Sequence, residues 1–326
     1  MHSPGSICYF IHCCKKQSAL KRSRCTVLLT IDQTYLVPAT VTLFSLLENN
    51  PKQSFKIYLF SEESDPKWLT PLREIVEGRG SEIVLKRVTK DDFENIKINL
   101  HFSVAAYYRL LAADLIEEDR VLYLDSDTLI LGDITPLWQV DLGEYPLAAV
   151  SDLIVRDFHR LDLQESHGYF NSGVMMLNLK IWRESDLGNK VLAYVFSNPE
   201  KIIYADQCGL NGFLKGNWLR LDLKWNLQAS LFQKEYEDLI SSWNEGFDLK
   251  AANQNPLIIH FSGPQKPWQL GSRHPYKKMY WKYLNQTPFA RRFSEDFTIP
   301  NLLRTLIPLA LKKYYWRYLI NQKSKN

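Results

Sequence analysis

Nowhere does this chain stay apolar for the ~20 residues that span a bilayer. Its N-terminal apolar run covers only residues 7–14, and the basic cluster Lys15, Lys16, Lys21, Arg22 and Arg24 follows that run. A secretory signal has the opposite order, so the body of the protein is expected in the cytoplasm. Cysteine is scarce beyond the N-terminus: Cys8, Cys13, Cys14 and Cys25 crowd the start and Cys208 stands alone. This odd set offers no disulfide framework and points to a reducing compartment. Cys13 and Cys14 beside His12 lack zinc-ligand spacing. Internal repeats and low-complexity tracts are absent. Excess charge is small, a net +4 with the basic residues gathered at the two ends. A nucleic-acid binder needs a basic face across the folded domain, so no nucleic-acid partner is expected.

Enough apolar sequence is present for a sizeable core, with 45% hydrophobic and 23% charged residues. Strand and helix signals alternate. Residues 27–31, 55–60 and 81–88 are β-branched or aliphatic runs that predict strands. Between them, 38–48 and 66–77 predict helices, the second with Asp65 as N-cap and Gly78 and Gly80 beyond its end. Further strands are predicted at 121–124, 147–150, 173–179 and 257–260, with helices at 104–113, 184–197 and 206–214. This alternation indicates an α/β fold with a mainly parallel central sheet. The ordered body is expected over 25–296, after a basic, Cys-containing leader at 1–24 to which no role is assigned.

From residue 297 to 326 no acidic residue occurs. Leu303, Ile307, Leu311 and Tyr315 recur every fourth position among Arg304, Lys312, Lys313 and Arg317, and Pro308 should kink the helix they form. A basic, aromatic amphipathic helix suits an anionic membrane surface, and peripheral attachment at the inner face is the expectation for 297–326. A tail docked on the core is the alternative.

The chemistry concentrates where the strand Val121-Leu122-Tyr123-Leu124 runs into Asp125-Ser126-Asp127. Residues i and i+2 of an extended chain share a face, so the two carboxylates point the same way. Like charges that close need a cation between them, and oxygen ligands at a strand end suit a divalent ion. Alone, Asp-x-Asp is commonly a solvated turn. A second strand, however, ends at His260 and is followed by Gly263 and Lys266. An imidazole joining two carboxylates favours Mn²⁺ over Mg²⁺. Gly263 allows close backbone approach to a diphosphate, and Lys266 can neutralise its charge.

The ordered motifs Tyr-Leu-Asp-Ser-Asp (123–127), Tyr-Phe-Asn-Ser-Gly-Val (169–174), Asp-Gln (206–207) and His-Phe-Ser-Gly-Pro-Gln-Lys-Pro-Trp (260–268) resemble those of glycosyltransferase family 8. The likeness is to its bacterial lipopolysaccharide galactosyl- and glucosyltransferase branch, with glycogenin more distant, and covers about 27–280. It implies a Rossmann-like glycosyltransferase A-type fold and transfer from a UDP-sugar with retention of configuration. By the same resemblance, Asp125, Asp127 and His260 would hold Mn²⁺. Thr30, Asp32, Thr34 and Tyr35 would serve the donor's nucleotide side, Gly263 and Lys266 its diphosphate, and Phe102 and Ser126 would also bind the donor. Arg109, Asn171, Asp206 and Gln207 would surround the donor hexose as the catalytic group, with His101 and Asp152 on the acceptor side. Bacterial members often have Asn where Thr34 stands, and some have His where Gln269 stands.

The activity so implied is transfer of galactose or glucose to a glycan or glycolipid, such as a lipopolysaccharide core. Asp206 and the Gln207 carbonyl oxygen are expected to stabilise the developing sugar cation. Gln207 stands where a carboxylate nucleophile would be expected, and a neutral amide is a poor one, so front-face attack is favoured over a covalent intermediate. Two rival classes are a sugar nucleotidyltransferase and an inactive glycan-binding protein. The first lacks its Gly-rich basic loop, since Asp32-Gln33-Thr34-Tyr35 follows the first strand; the second is at odds with a full set of metal and sugar residues.

Overall fold

The computed structural model describes residues 24–63, 65–89, 104–233, 249–292, 294 and 296–306. Cys8, Cys13, Cys14, His101, Phe102 and the tail beyond Leu306 lie outside the described residues. Ten strands are formed there: β1 (Arg24–Thr30), β2 (Ser54–Ser61), β3 (Glu82–Arg87), β4 (Arg120–Leu124), β5 (Thr128–Ile130), β6 (Leu147–Ser151), β7 (Phe170–Asn178), β8 (Leu219–Arg220), β9 (Leu227–Gln228) and β10 (Ile258–His260). Seven of them make one sheet in the order β3-β2-β1-β4-β7-β6-β8. All its pairings are parallel except those of β7, which runs against both β4 and β6. The expected mainly parallel sheet is what forms.

Strand alternation divides the core between the two faces. Leu122 and Leu124 of β4 pack on one side with Val27, Leu29 and Val174, while Val121 and Tyr123 pack on the other with Leu28, Met175 and Leu177. Both faces are buried, which is why these strands read as continuous apolar runs.

Helix α1 (Leu36–Asn49) covers the first face and does more than fill space. Thr42 Oγ1 donates to the Ser126 and Thr128 carbonyls at 2.9 and 2.7 Å, and Ser45 Oγ accepts from the Ile130 amide at 3.0 Å. Hydroxyls that an apolar helix normally avoids thus satisfy the backbone of the turn after β4.

A second, three-stranded sheet, β5-β10-β9, completes the C-terminal edge. In it His260 lies opposite Thr128 and beside Gln228. The Phe261 amide also donates to the Asp127 carbonyl at 3.0 Å. A residue far away in sequence is thereby locked next to the Asp-Ser-Asp turn.

Three helices differ from the sequence pattern. Residues 66–77 begin as a 3₁₀ turn (Pro66–Leu69), with Asp65 accepting from the Lys67 amide at 2.9 Å, before α2 (Thr70–Glu77). Residues 104–113 are mostly 3₁₀ (Val104–Leu111), followed by α3 (Ala112–Leu115) and, after β5, by the short α4 (Thr135–Trp138). The helix expected at 184–197 is two, α5 (Leu179–Ser185) and α6 (Leu187–Ser197), broken at Asp186 with φ 54°. The break lets α6 press its backbone onto the 3₁₀ segment: a Cβ on Gly188 would lie 2.1 Å from the Leu110 carbonyl oxygen. The predicted helix at 206–214 is α7 (Ala205–Leu214).

Cys25 and Cys208 are buried free thiols. Among the described residues no helix is long and apolar enough to cross a membrane. The start of the expected tail is a helix, Ile299–Leu306, on which Ile299 is 72% exposed.

Candidate active site

At the C-terminal end of β4 the chain must turn, and Asp125 and Asp127 leave the sheet together. The β7 backbone steadies the first of them, the Asp125 amide donating to the Gly173 carbonyl at 2.7 Å. His260 Nε2 sits 3.4 Å from Asp125 Oδ2 and 3.3 Å from Asp127 Oδ1. One ligand atom from each of the three side chains falls within 4.8 Å of the other two. Two carboxylate oxygens and an imidazole nitrogen converging at that spacing fit a divalent first-row cation. Gly173 makes the space: a Cβ there would lie 2.2 Å from His260 Cε1 and 2.8 Å from Asp125 Oδ2.

Two cations flank the acidic pair. The buried Arg109 guanidinium reaches Asp125 Oδ1 at 3.1 Å and Asp206 Oδ2 at 3.4 Å, donates to the Ser172 carbonyl at 3.1 Å, and lies 4.1 Å from the Tyr123 ring centre. Lys266, from the loop after β10, pairs with Asp127 and donates to the Phe261 carbonyl at 2.9 Å. Tyr123 OH donates to Asp125 Oδ1 at 2.7 Å.

These contacts set the ionisation. Burial alone would raise Asp125, but Arg109, helped by His260, holds it well below the usual carboxylate range. Burial likewise opposes ionisation of Asp127, and Lys266 and His260 outweigh it. Burial would depress His260; Asp127 and Asp125 overcome that and lift it to about 9. The proton stands where a metal cation would otherwise compensate the pair. Asp206 is pushed up to about 6, because burial exceeds the pull of Arg109. Asp152 is also raised by burial, partly offset by its bonds from Asn171, Ile154 and Gln207.

In front of the triad opens a cavity of about 750 Å³. Its wall brings together Asp125, Asp127, Asp152, Asn171, Gln207, His260, Gly263 and Lys266, all named from the sequence. Gly263 has φ 82° and open space where a Cβ would be, so its backbone is accessible from the cavity side. Tyr204, Phe232, Arg273 and His274 also line it; nothing in their spacing had marked them. His274 is lowered by burial to about 4 and its ring is neutral.

Other expected residues stand apart from this wall. Thr30, at the end of β1, meets the Tyr123 hydroxyl at 3.2 Å and accepts from Ser126 Oγ through its carbonyl at 3.1 Å. Asp32 is exposed and caps the following turn, accepting from the Thr34 and Tyr35 amides at 2.9 and 3.1 Å. Tyr35 packs edge-on to Trp268 with ring centres 6.1 Å apart. Arg109 and Asp206 lie behind the wall. The Gln207 oxygen accepts from the Ser172 amide at 3.1 Å and Asn171 Nδ2 at 3.2 Å.

The chain also matches known proteins in sequence and fold. The family model described as glycosyl transferase family 8 matches residues 26–270. The chain belongs to that family. It is 30% identical over 250 residues to general stress protein A of Bacillus subtilis, covering 74% of this chain and 87% of that one. It is 29% identical over 269 residues to the lipopolysaccharide 1,2-glucosyltransferase of Escherichia coli, covering 79% and 77% of the two chains. The crystal structure of the galactosyltransferase LgtC with donor and acceptor sugar analogues superposes with TM-score 0.70 at 24% identity, covering 81% of this chain and 96% of that one. The chain spans only part of some longer streptococcal glycosyltransferases that it matches, 61% of GlyF and 30% of GlyD. In this member of the family the Asp125, Asp127 and His260 cluster lies beyond the C-terminal end of β4, where open α/β sheets collect ligands.

Proposed function

We propose that this protein is a retaining hexosyltransferase that moves galactose or glucose from a UDP-sugar to a lipid-linked or lipopolysaccharide-type glycan. The observation that carries the reading is the convergence of Asp125, Asp127 and His260 on one point at the edge of a cavity that also exposes Lys266, Asn171 and Gln207. Asp125, Asp127 and His260 would hold Mn²⁺, with Mg²⁺ as the weaker candidate. Such an ion, when bound, supplies Lewis-acid stabilisation of the UDP diphosphate.

The chain's own groups divide the remaining work. Lys266 adds a positive charge where the leaving diphosphate gathers negative charge. Asp206, behind the wall and paired with Arg109, acts on the developing sugar cation through space. Asp152, on the wall, accepts from Asn171 and Gln207 at 3.3 Å each and offers a carboxylate to the acceptor. Because both lone pairs of the Gln207 oxygen are engaged, front-face attack is preferred to a covalent intermediate. In that step the acceptor oxygen bonds to the anomeric carbon, the sugar–phosphate bond breaks, and the hydroxyl proton passes to the departing phosphate oxygen.

The catalytic body is assigned to 25–296, cytoplasmic and peripheral, and the basic segment 297–326 to attachment at the inner face of an anionic membrane. The acceptor class draws support from the Escherichia coli relative's name. Incubation with UDP-galactose and UDP-glucose, with Mn²⁺ or with EDTA, tests the donor and the ion together. Mn²⁺-dependent release of UDP from one of them is expected; release from neither, or equal release in EDTA, refutes the reading. For the tail, truncation after residue 296 should release the protein from anionic vesicles.

A further inference from the structure

A buried hydrogen-bonded chain joins the imidazole of the acidic cluster to the amide of Gln207, and the main chain of β7 fixes its direction. Peptide N–H groups only donate. The Gly173 amide donates to Asn171 Oδ1 at 3.0 Å, and the Ser172 amide donates to Gln207 Oε1 at 3.1 Å. The oxygen ends of both side chains are therefore assigned by backbone. Asn171 Nδ2 donates onward to Gln207 Oε1 at 3.2 Å and Asp152 Oδ2 at 3.3 Å.

Asn226 enters this chain from the other side. Its Nδ2 donates to Asn171 Oδ1 at 2.9 Å, which turns its Oδ1 to His260 Nδ1 at 3.1 Å. An amide oxygen only accepts, so Nδ1 carries the hydrogen. When the ring is neutral, as a metal ligand must be, the lone pair is left on Nε2, the nitrogen that faces Asp125 and Asp127. This is the tautomer that a metal-ligating imidazole requires, and a hydrogen bond to its other nitrogen is the usual means of fixing it.

Asn226 is 0% exposed and is not part of the cavity wall. It follows the 3₁₀ turn Leu223–Trp225 and precedes β9, so both neighbouring segments are held in the core. We infer that Asn226 is a positioning residue that orients two groups at once: the ring of His260 toward a cation, and, through Asn171, the amide of Gln207 beside the donor sugar. This rests on the metal and donor assignments proposed above.

The near-isosteric change Asn226→Asp separates the two halves. A carboxylate still accepts from His260 Nδ1 but cannot donate to Asn171, and it sets two acceptors against each other where a 2.9 Å bond stood. Asn171 is then caught between the Gly173 amide, which keeps its oxygen, and the new carboxylate, which calls for its nitrogen, and its hold on Gln207 is disturbed. Asn226→Leu removes both contacts. The measurements are Mn²⁺ affinity in the presence of UDP, by electron paramagnetic resonance of free Mn²⁺, and kcat and KM for UDP-sugar hydrolysis.

For Asn226→Asp the expected result is Mn²⁺ affinity unchanged or tighter, KM unchanged, and kcat reduced at least about tenfold. For Asn226→Leu it is Mn²⁺ affinity weakened about 10–100-fold, the range of outer-shell partners of a metal ligand. A residue that merely fills space would give the two variants parallel losses. Equal weakening of Mn²⁺ binding in both, or full kcat in Asn226→Asp, overturns the inference. The unmutated protein supplies a check independent of folding defects. With Mg²⁺ and UDP, the ¹⁵N resonances of His260, assigned by their loss in His260→Gln, should show hydrogen on Nδ1; hydrogen on Nε2 overturns the inference. Asp125→Ala identifies a failure at the earlier step: if it binds Mn²⁺ as tightly as the parent, the metal assignment falls and the role of Asn226 falls with it.

Discussion

Asp125 and Asp127 carry the same charge two residues apart, yet they are held by opposite kinds of cation. Asp125 is held by Arg109, which is boxed in by the Ser172 carbonyl, the Tyr123 ring and Asp206 and is 6% exposed. Asp127 is held by Lys266, on a loop that forms the cavity wall. A guanidinium with fixed donor geometry suits a permanent cross-link between strand ends, whereas an ammonium on a flexible stem can change partner when a phosphate arrives. The acidic pair thus has one side built as frame and the other as working surface.

The largest effect should come from breaking the frame. Arg109→Met leaves Asp206 and Asp125 without their guanidinium in a buried setting, and removing one partner of a buried pair costs about 3–5 kcal/mol. The expected outcome is a large fall in the urea midpoint together with loss of activity. A variant as stable as the parent would show that Arg109 is not the cross-link described. Breaking the working side should look different. Lys266→Ala should lower kcat about 10²–10³-fold, as when one oxyanion donor is removed, with a fall in the urea midpoint clearly smaller than that of Arg109→Met, because His260 still faces Asp127. A loss of stability matching that of Arg109→Met would erase the distinction.

A smaller, graded effect should follow pH. Asp206 is raised by burial from 3.8 to about 6 against the pull of Arg109. Folded protein therefore keeps a proton that the unfolded chain loses, so this group's contribution to stability is present at low pH and falls as pH rises through the 3.8 to about 6 window. Activity needs the ionised form and should rise as pH passes through about 6, the apparent pKa expected on kcat. Asp206→Asn should remove both slopes. A kcat profile of the parent that is flat between pH 5 and 7 would contradict the role given to Asp206.

The frame was more legible in sequence than the working surface. Strands β1, β2 and β4 are buried on both faces, so their apolar runs declare themselves, and the end of β4 put Asp125 and Asp127 on one face. His260 was legible for the same reason, as the last residue of an apolar run. By contrast β8 and β9 are two residues each, below any periodic signal. Asn226 lies between a 3₁₀ turn and such a strand, flanked by Trp225 and Leu227, and nothing local marks it as a partner of His260. The role of Gly173 is likewise tertiary, since only the approach of His260 forbids a Cβ there. The broken helix at Asp186 reflects a contact with Leu110, far away in sequence. Arg109 and Asp206 were named through family likeness; their pairing behind the cavity wall is a product of packing. The orientation of Gln207 is set by β7 backbone donors, which its place after Asp206 does not reveal.

The most direct measurement is calorimetric titration of Mn²⁺ with UDP into the parent protein and into Asp127→Asn, paired with the rate of UDP-sugar hydrolysis in each. One bound ion per chain is expected in the parent, with binding lost in the variant and hydrolysis lost with it. Undiminished binding and turnover after that single exchange of oxygen for nitrogen would mean that the strand-end carboxylates do not hold the ion.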